Sequence, residues 1–238
     1  MPLAVYVKAP PRSASIRNPK KERFFYSLIT FVGLSSIIFA VYPFITWQLA
    51  TLPKLTSAIE EIPVPKSQVL SAKTILSSNV QVVKDPDGFS FFTTNYKPPE
   101  PRPEEFNLTI PKLKIEKARV LVDDLNFYDS LSHFPGSALP GEVGNSFITG
   151  HSVLPQFYDP QNYRTIFTKL SDLEVGDDVY AELGDKTFHY VVQYAKIVDP
   201  QDISVLAPLS QNGRNLTLMS CVPPGTNLKR LVVVTSLI

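Results

Sequence analysis

Between Phe24 and Leu49 the chain carries no charged residue, and that run limits what everything after it can be. At ~1.5 Å of rise per helical residue it is longer than a hydrocarbon core of ~30 Å, so it predicts a membrane-spanning helix. Ahead of it stand Lys8, Arg12, Arg17, Lys20, Lys21 and Arg23 against one acid, Glu22. The positive-inside rule then keeps residues 1–23 in the cytoplasm as a basic tail and puts the chain beyond residue 50 outside. Tyr26 and Trp47 occupy the two ends, where interfacial anchors belong, and Pro43 lies near the outer end, where a kink is tolerated. A cleaved signal peptide is the competing reading. Its apolar region runs to about 7–15 residues before a small-x-small site, and Gln48-Leu49-Ala50 is a poor match. Residues 24–50 are therefore read as a retained signal anchor.

An extracytoplasmic location gives meaning to the cysteine content, which is the single residue Cys221. In a compartment that permits disulfides, a thiol with no partner in its own chain is either buried and inert or kept for its reactivity. The net charge of +1, from 23 basic and 22 acidic residues, gives no field for nucleic acid, and no such partner is expected. Prolines at 53, 63, 65, 86, 98, 99, 101 and 103 mark residues 51–105 as a Pro-rich connector. Within it, Ala58–Ile62 and Gln68–Ile75 suit short helical turns, and Gly88–Thr94 has strand character.

From Phe106 onward the pattern changes to short β-rich pieces separated by turn residues, which predicts an all-β barrel or sandwich. The candidate strands are Phe106–Ile110, Lys112–Ile115, Ser146–Thr149, Asp178–Leu183, Thr187–Ile197, Asn215–Met219 and Leu231–Leu237. Leu231-Val-Val-Val234 is a continuous apolar run of the kind buried on both faces. Helices are few: Tyr163–Leu170, with Phe167 and Leu170 at i, i+3, and a turn at Ser204–Leu209 are the candidates.

Cys221 ends one predicted strand and Arg230 begins the next, so a short loop brings thiol and guanidinium to adjoining strand ends. A fixed cation favours the thiolate, and the planar fork of arginine can hold a developing oxyanion. Acyl transfer also needs a proton partner, for which histidine is best suited. His151 follows the strand-like Phe147-Ile-Thr-Gly150 and faces a loop. His189 alternates inside a strand and reads as structural; His133, before Phe134-Pro-Gly136, is the weaker candidate. No cluster of His, Cys or carboxylates has zinc-ligand spacing, so no metal or cofactor is expected.

Several motifs agree in order with one family. Leu216-Thr-Leu-Met-Ser-Cys221-Val-Pro followed by Arg230-Leu-Val-Val resembles the sortase signature, a TLxTC strand end and an RLxV strand. Asn145-Ser-Phe-Ile-Thr-Gly150-His151 is similar to the family's glycine-histidine segment, and Phe134-Pro-Gly-Ser-Ala-Leu-Pro-Gly141 to the turn before it. Leu108-Thr-Ile-Pro-Lys, Phe167–Gly176 and Ile197-Val-Asp-Pro-Gln-Asp202 resemble further family segments, so the likeness runs from about Phe106 to the C-terminus. Ser220 replaces the usual threonine, keeping the hydroxyl, and Ser152 stands where arginine is common. Asp85-Pro-Asp-Gly-Phe89 is only weakly similar to the Asp-Pro-aromatic lid of pilin-polymerising members, lacking the aromatic directly after proline, and the plain connector is the preferred reading.

The resemblance implies an eight-stranded sortase-type β-barrel over residues 106–238, with few short helices and an N-terminal transmembrane helix before it. It implies a cysteine transpeptidase in which Cys221 attacks the Thr-Gly carbonyl of an LPxTG-like sorting signal. His151 would protonate the leaving amine and Arg230 would hold substrate or oxyanion, with Ser220 and His133 as possible supporting residues. The partners implied are secreted proteins with a C-terminal sorting signal and an amine acceptor, either a cell-wall precursor or a pilin lysine. A cysteine hydrolase of the same fold and an inactive membrane-tethered binding module are the alternatives.

Overall fold

The computed structural model describes residues 19–51, 53, 80–84, 90–95 and 101–238, in two units, Met1–Tyr42 and Pro43–Ile238. Helix α1 spans Pro19–Thr46, and Glu22–Leu49 is long and apolar enough to cross a membrane. Its large side chains, Phe24, Phe31, Ile37 and Phe39 among them, are exposed in the protein itself, as a lipid-facing helix requires. Trp47, expected at the interface, is buried with the apolar core of the second unit.

Among its described residues the second unit has ten strands: β1 (Val80–Lys84), β2 (Ser90–Thr94), β3 (Glu105–Ile110), β4 (Ile115–Leu121), β5 (Leu131–His133), β6 (Gly144–Thr149), β7 (Asp178–Leu183), β8 (Lys186–Val198), β9 (Arg214–Val222) and β10 (Lys229–Leu237). The last eight close into a barrel in the order β10-β8-β7-β3-β4-β5-β6-β9. The expected eight-stranded barrel is thus the fold, and closure pairs each of its strands on both sides. Two neighbours run parallel, β4 with β5 and β6 with β9. β10 lies between β8 and β9, and its apolar run is buried in both directions. Leu231 and Val233 join the barrel interior with Leu216 and Leu218, whereas Val232 and Val234 join an outer cluster with Phe134 and Phe147. Full burial of each such side chain is worth roughly 1.5–3 kcal/mol.

That outer cluster draws on the segment read as connector. β1 and β2 pair antiparallel, Val82 opposite Phe92, and the hairpin packs Val80, Val82 and buried Phe92 onto the barrel's outer face. The Asp85–Phe89 motif between these strands, and the helical turns expected at Ala58–Ile62 and Gln68–Ile75, lie outside the described residues.

Two expected elements differ. Lys112–Ile115 is not a strand: Pro111–Leu113 forms a short 3-10 turn, and the strand runs from Ile115 to Leu121. There the backbone of Lys117 takes φ 47° and the β3 register slips between Leu108 and Ile110. Glu116 and Lys117 consequently both face outward, a bulge that breaks the period-2 alternation a strand is recognised by. Tyr163–Leu170 is a run of turns rather than a helix. Thr165 and Thr168 hydroxyls accept from the backbone N–H groups of Asp159 and Val153, and the N–H of Phe167 is donated to the His151 carbonyl. These bonds give the segment's polar groups partners that a helix would have supplied. Ser204–Leu209 does hold a turn, the 3-10 stretch Ile203–Leu206 capped by Asp202.

Candidate active site

The three residues expected to carry chemistry line one groove of about 380 Å³, and strand register explains why. On the antiparallel β9/β10 pair Arg230 stands directly opposite Cys221. On the parallel β6/β9 pair Thr149 is level with Met219, and the Gly150 N–H donates to the Met219 carbonyl at 3.1 Å. Continuing that register brings His151 abreast of Cys221. A Cβ on Gly150 would stand 2.6 Å from Phe167 Cδ2 and 2.7 Å from Leu131 Cδ2, so any larger residue there must push these side chains aside.

The local contacts fix each group differently. Cys221 is half-buried and unpaired, and its carbonyl accepts a 2.6 Å hydrogen bond from Ser152 Oγ. Ser152 therefore ties the His151 loop to the cysteine strand. Ser220 is buried beside the thiol. Arg230 is almost fully buried, and its Nη1 donates to the carbonyls of Asn227 and Lys229 at 3.1 Å each. Burial pushes the Cys221 thiol pKa up, and the nearby Arg230 charge opposes that shift. Burial, with a lesser contribution from the Arg164 cation, lowers the His151 imidazole to about 4. Thiol and imidazole are both neutral in this state.

Sequence reasoning missed the groove's apolar walls, Phe91 and Phe92 of β2 and Leu125, Phe127 and Tyr128 of the β4–β5 loop, and the Arg164 cation beside them. Phe127 and Tyr128 sit with ring centroids 4.4 and 5.0 Å from the His151 ring. The signal available was an aromatic pair set among Asp124, Asn126 and Asp129, in a polar loop where neither core packing nor strand alternation calls for aromatics.

The other two histidines stand elsewhere. His133 is fully buried, with Nε2 2.9 Å from the Ala138 carbonyl and from Ser137 Oγ, and it does not line the groove. Around it, Arg102 pairs with Asp123 at 2.8 Å and donates to the Ser137 carbonyl. His189 stacks on Tyr180 at 4.5 Å and pairs with Asp178 at 2.7 Å on the outside of the barrel.

With fold and groove described, the protein falls among closed β-barrels that carry a cysteine and an arginine at adjoining strand ends. The Sortase domain profile matches residues 108–238, over half of the chain, and the protein belongs to the sortase family. Sortase D of Bacillus subtilis (strain 168) is 29% identical over 117 residues, which are 49% of this chain and 53% of that protein. The chain thus spans about half the length of this curated relative. Sortase C-3 of Streptococcus pneumoniae superimposes with a TM-score of 0.53 at 26% identity, covering 73% of this chain and 81% of the other. Sortase A of Corynebacterium diphtheriae, at 23% identity and a TM-score of 0.52, covers 81% of this chain and 93% of its own, a likeness of fold.

Proposed function

We propose that this protein is a membrane-anchored cysteine transpeptidase with Cys221 as nucleophile, His151 as proton partner and Arg230 as the group that holds the carbonyl. The observation that carries the reading is the register: β10 sets Arg230 opposite Cys221 and parallel β6 delivers His151 to the same groove. In the first half-reaction His151 takes the thiol proton as the sulfur attacks the Thr-Gly carbonyl of an LPxTG-like signal. The C–N bond breaks, and the glycine amine leaves with a proton from His151. In the second, an amine from a cell-wall precursor or pilin lysine gives a proton to His151, the C–S bond breaks, and the thiol is restored. Arg230 stabilises the oxyanion of both tetrahedral steps. The groove's predominantly apolar walls suit the leucine and proline of such a signal.

In the same reading residues 1–23 are the cytoplasmic tail, 24–50 the signal anchor, 51–105 the connector and 106–238 the catalytic domain, outside the membrane. The apolar α1 and the basic residues before it support that arrangement.

The test is to incubate the protein with a library of peptides carrying varied five-residue signals, with and without an amine acceptor, and to identify products by mass spectrometry. Ligated peptide with wild type, and none with Cys221→Ala at an unchanged Tm, is the expected result. Hydrolysed peptide alone would assign a hydrolase. Turnover by Cys221→Ala would overturn the assignment.

A further inference from the structure

The β4–β5 loop holds an aromatic pair against the imidazole that the proposed reaction does not by itself require. Phe127 is half-buried, and Tyr128 keeps 54% of its surface exposed. Their rings are parallel to within 2°, and both approach the His151 ring at about 50°. The Arg164 guanidinium lies 5.5 Å from the Tyr128 ring centroid, a cation–π contact that holds the tyrosine against the histidine. The backbone beneath is fixed by two Asx turns, in which the N–H groups of Asn126 and Tyr128 donate to Asp124 Oδ1 and Asn126 Oδ1. The consequence is visible at one atom: His151 Nε2 is buried and has no hydrogen-bond partner among the described residues. A polar nitrogen loses free energy in that position, and the loop that covers it spends an exposed tyrosine in doing so.

We propose that Phe127 and Tyr128 are positioning residues for the reaction, which cover His151 against bulk water and thereby favour an amine over water as acceptor for the thioacyl enzyme. The proposal rests on the transpeptidase reading above. Water and amine resolve the intermediate by the same step: each gives a proton to His151 as it adds to the thioester carbon, the C–S bond breaks, and the sulfur takes the proton back. Water, at far higher concentration, wins unless it is kept from the imidazole. Among the described residues the charged groups lining the groove are Arg164 and Arg230, with no carboxylate facing His151. Burial, to which the rings contribute, and the Arg164 cation keep the imidazole neutral, ready to accept that proton.

Two measurements on the full chain in detergent micelles test this. With a peptide that the library shows to be turned over and a fixed concentration of a simple amine, the ratio of hydrolysed to ligated product is read for wild type, Phe127→Ala, Tyr128→Ala and Tyr128→Phe. The alanine variants are expected to raise that ratio by about tenfold or more, while Tyr128→Phe, which keeps the ring, stays at the wild-type ratio. Independently of activity, the His151 ring is titrated by NMR in a Cys221→Ala background. Its midpoint is expected to move from about 4 towards the ordinary imidazole value of about 6.5 when either ring is removed. An unmoved midpoint in a folded alanine variant overturns the proposal whatever the product ratio does, and so does an unchanged ratio. Absence of any product from wild type would instead sink the transpeptidase reading, and the titration would still decide whether the rings shield His151.

Discussion

At the scale of single residues, the proposed chemistry turns on where one proton sits between Cys221 and His151. Burial raises the thiol and lowers the imidazole, so the neutral pair predominates and the thiolate–imidazolium pair is its minor tautomer. Both tautomers carry the same number of protons, and the reactive fraction is therefore constant at any pH between the two titrations. The expected kcat/KM profile has an acid limb near the His151 value of about 4, a plateau through neutrality, and an alkaline limb above the ordinary thiol range. A bell narrowed around pH 7 would show that burial does not spread the two titrations apart in this way. The partners separate by substitution as well. His151→Ala should lose about 10² to 10⁴ in kcat/KM, the usual contribution of a general acid–base group. His133→Ala should act on Tm, because His133 does not line the groove. Arg230→Lys keeps the charge but not the planar fork, and a loss comparable to Arg230→Ala would show that geometry, beyond charge, holds the carbonyl. If His133→Ala is folded and inactive while His151→Ala turns over, the roles are wrongly assigned.

At the scale of elements, the decisive piece is the end of β6. Its parallel pairing with β9 carries the chain to Gly150, where Phe167 and Leu131 close in from two sides. Leu131 and Phe167 are both fully buried, so neither has open space to retreat into. Gly150→Ala is therefore expected to cost about 1–3 kcal/mol, the usual penalty of overpacking. It should also shift His151 away from Cys221, lowering kcat/KM by roughly a hundredfold, as misplacement by about 1 Å can. Thermal unfolding and single-turnover acylation measured on one preparation check both halves; full acylation at a lowered Tm would show that the strand end absorbs the methyl without moving the histidine.

At the scale of the whole molecule, the buried polar cluster around His133 links the start of the barrel domain to its acid stability. Arg102 precedes β3, Asp123 follows β4, and Ser137 lies in the turn before β6; all three meet at or beside His133. Desolvation lowers His133 to about 4, with the Ala138 carbonyl and Asp123 pulling it back up and the Arg102 charge adding to the lowering. Its folded pKa is thus below the unfolded value of 6.5, so the unfolded chain takes up the proton first as pH falls. The associated stability is present above pH 6.5, is lost progressively down to about 4, and amounts to roughly 3 kcal/mol. His151, depressed to a similar value chiefly by burial, adds a loss in the same direction. Denaturant midpoints at pH 7 and pH 4.5 should differ accordingly, and His133→Gln should shrink the difference without abolishing it; an undiminished acid loss in that variant would place the titration elsewhere.

The apolar helix, the β-rich character beyond Phe106, and the Cys221, Arg230 and His151 candidates were legible in the sequence because each depends on residues near one another in the chain. A membrane span is a matter of continuous composition, and a strand-loop-strand unit sets Cys221 and Arg230 side by side through a loop of a few residues. The bulge at Lys117, the three-residue strand β5 and the turn run at Tyr163–Leu170 were not legible, since in each the backbone bonds to distant groups that local periodicity does not reveal. The groove's walls were decided by tertiary structure alone. Phe92 comes from a hairpin before the barrel, Phe127 and Tyr128 from a loop after β4, and Arg164 from a turn after His151. The sequence by itself determined which residues could react, because reactivity is a property of side-chain type. How deeply they are buried, and so where their protons sit, depended on closing a barrel whose neighbouring strands are far apart along the chain.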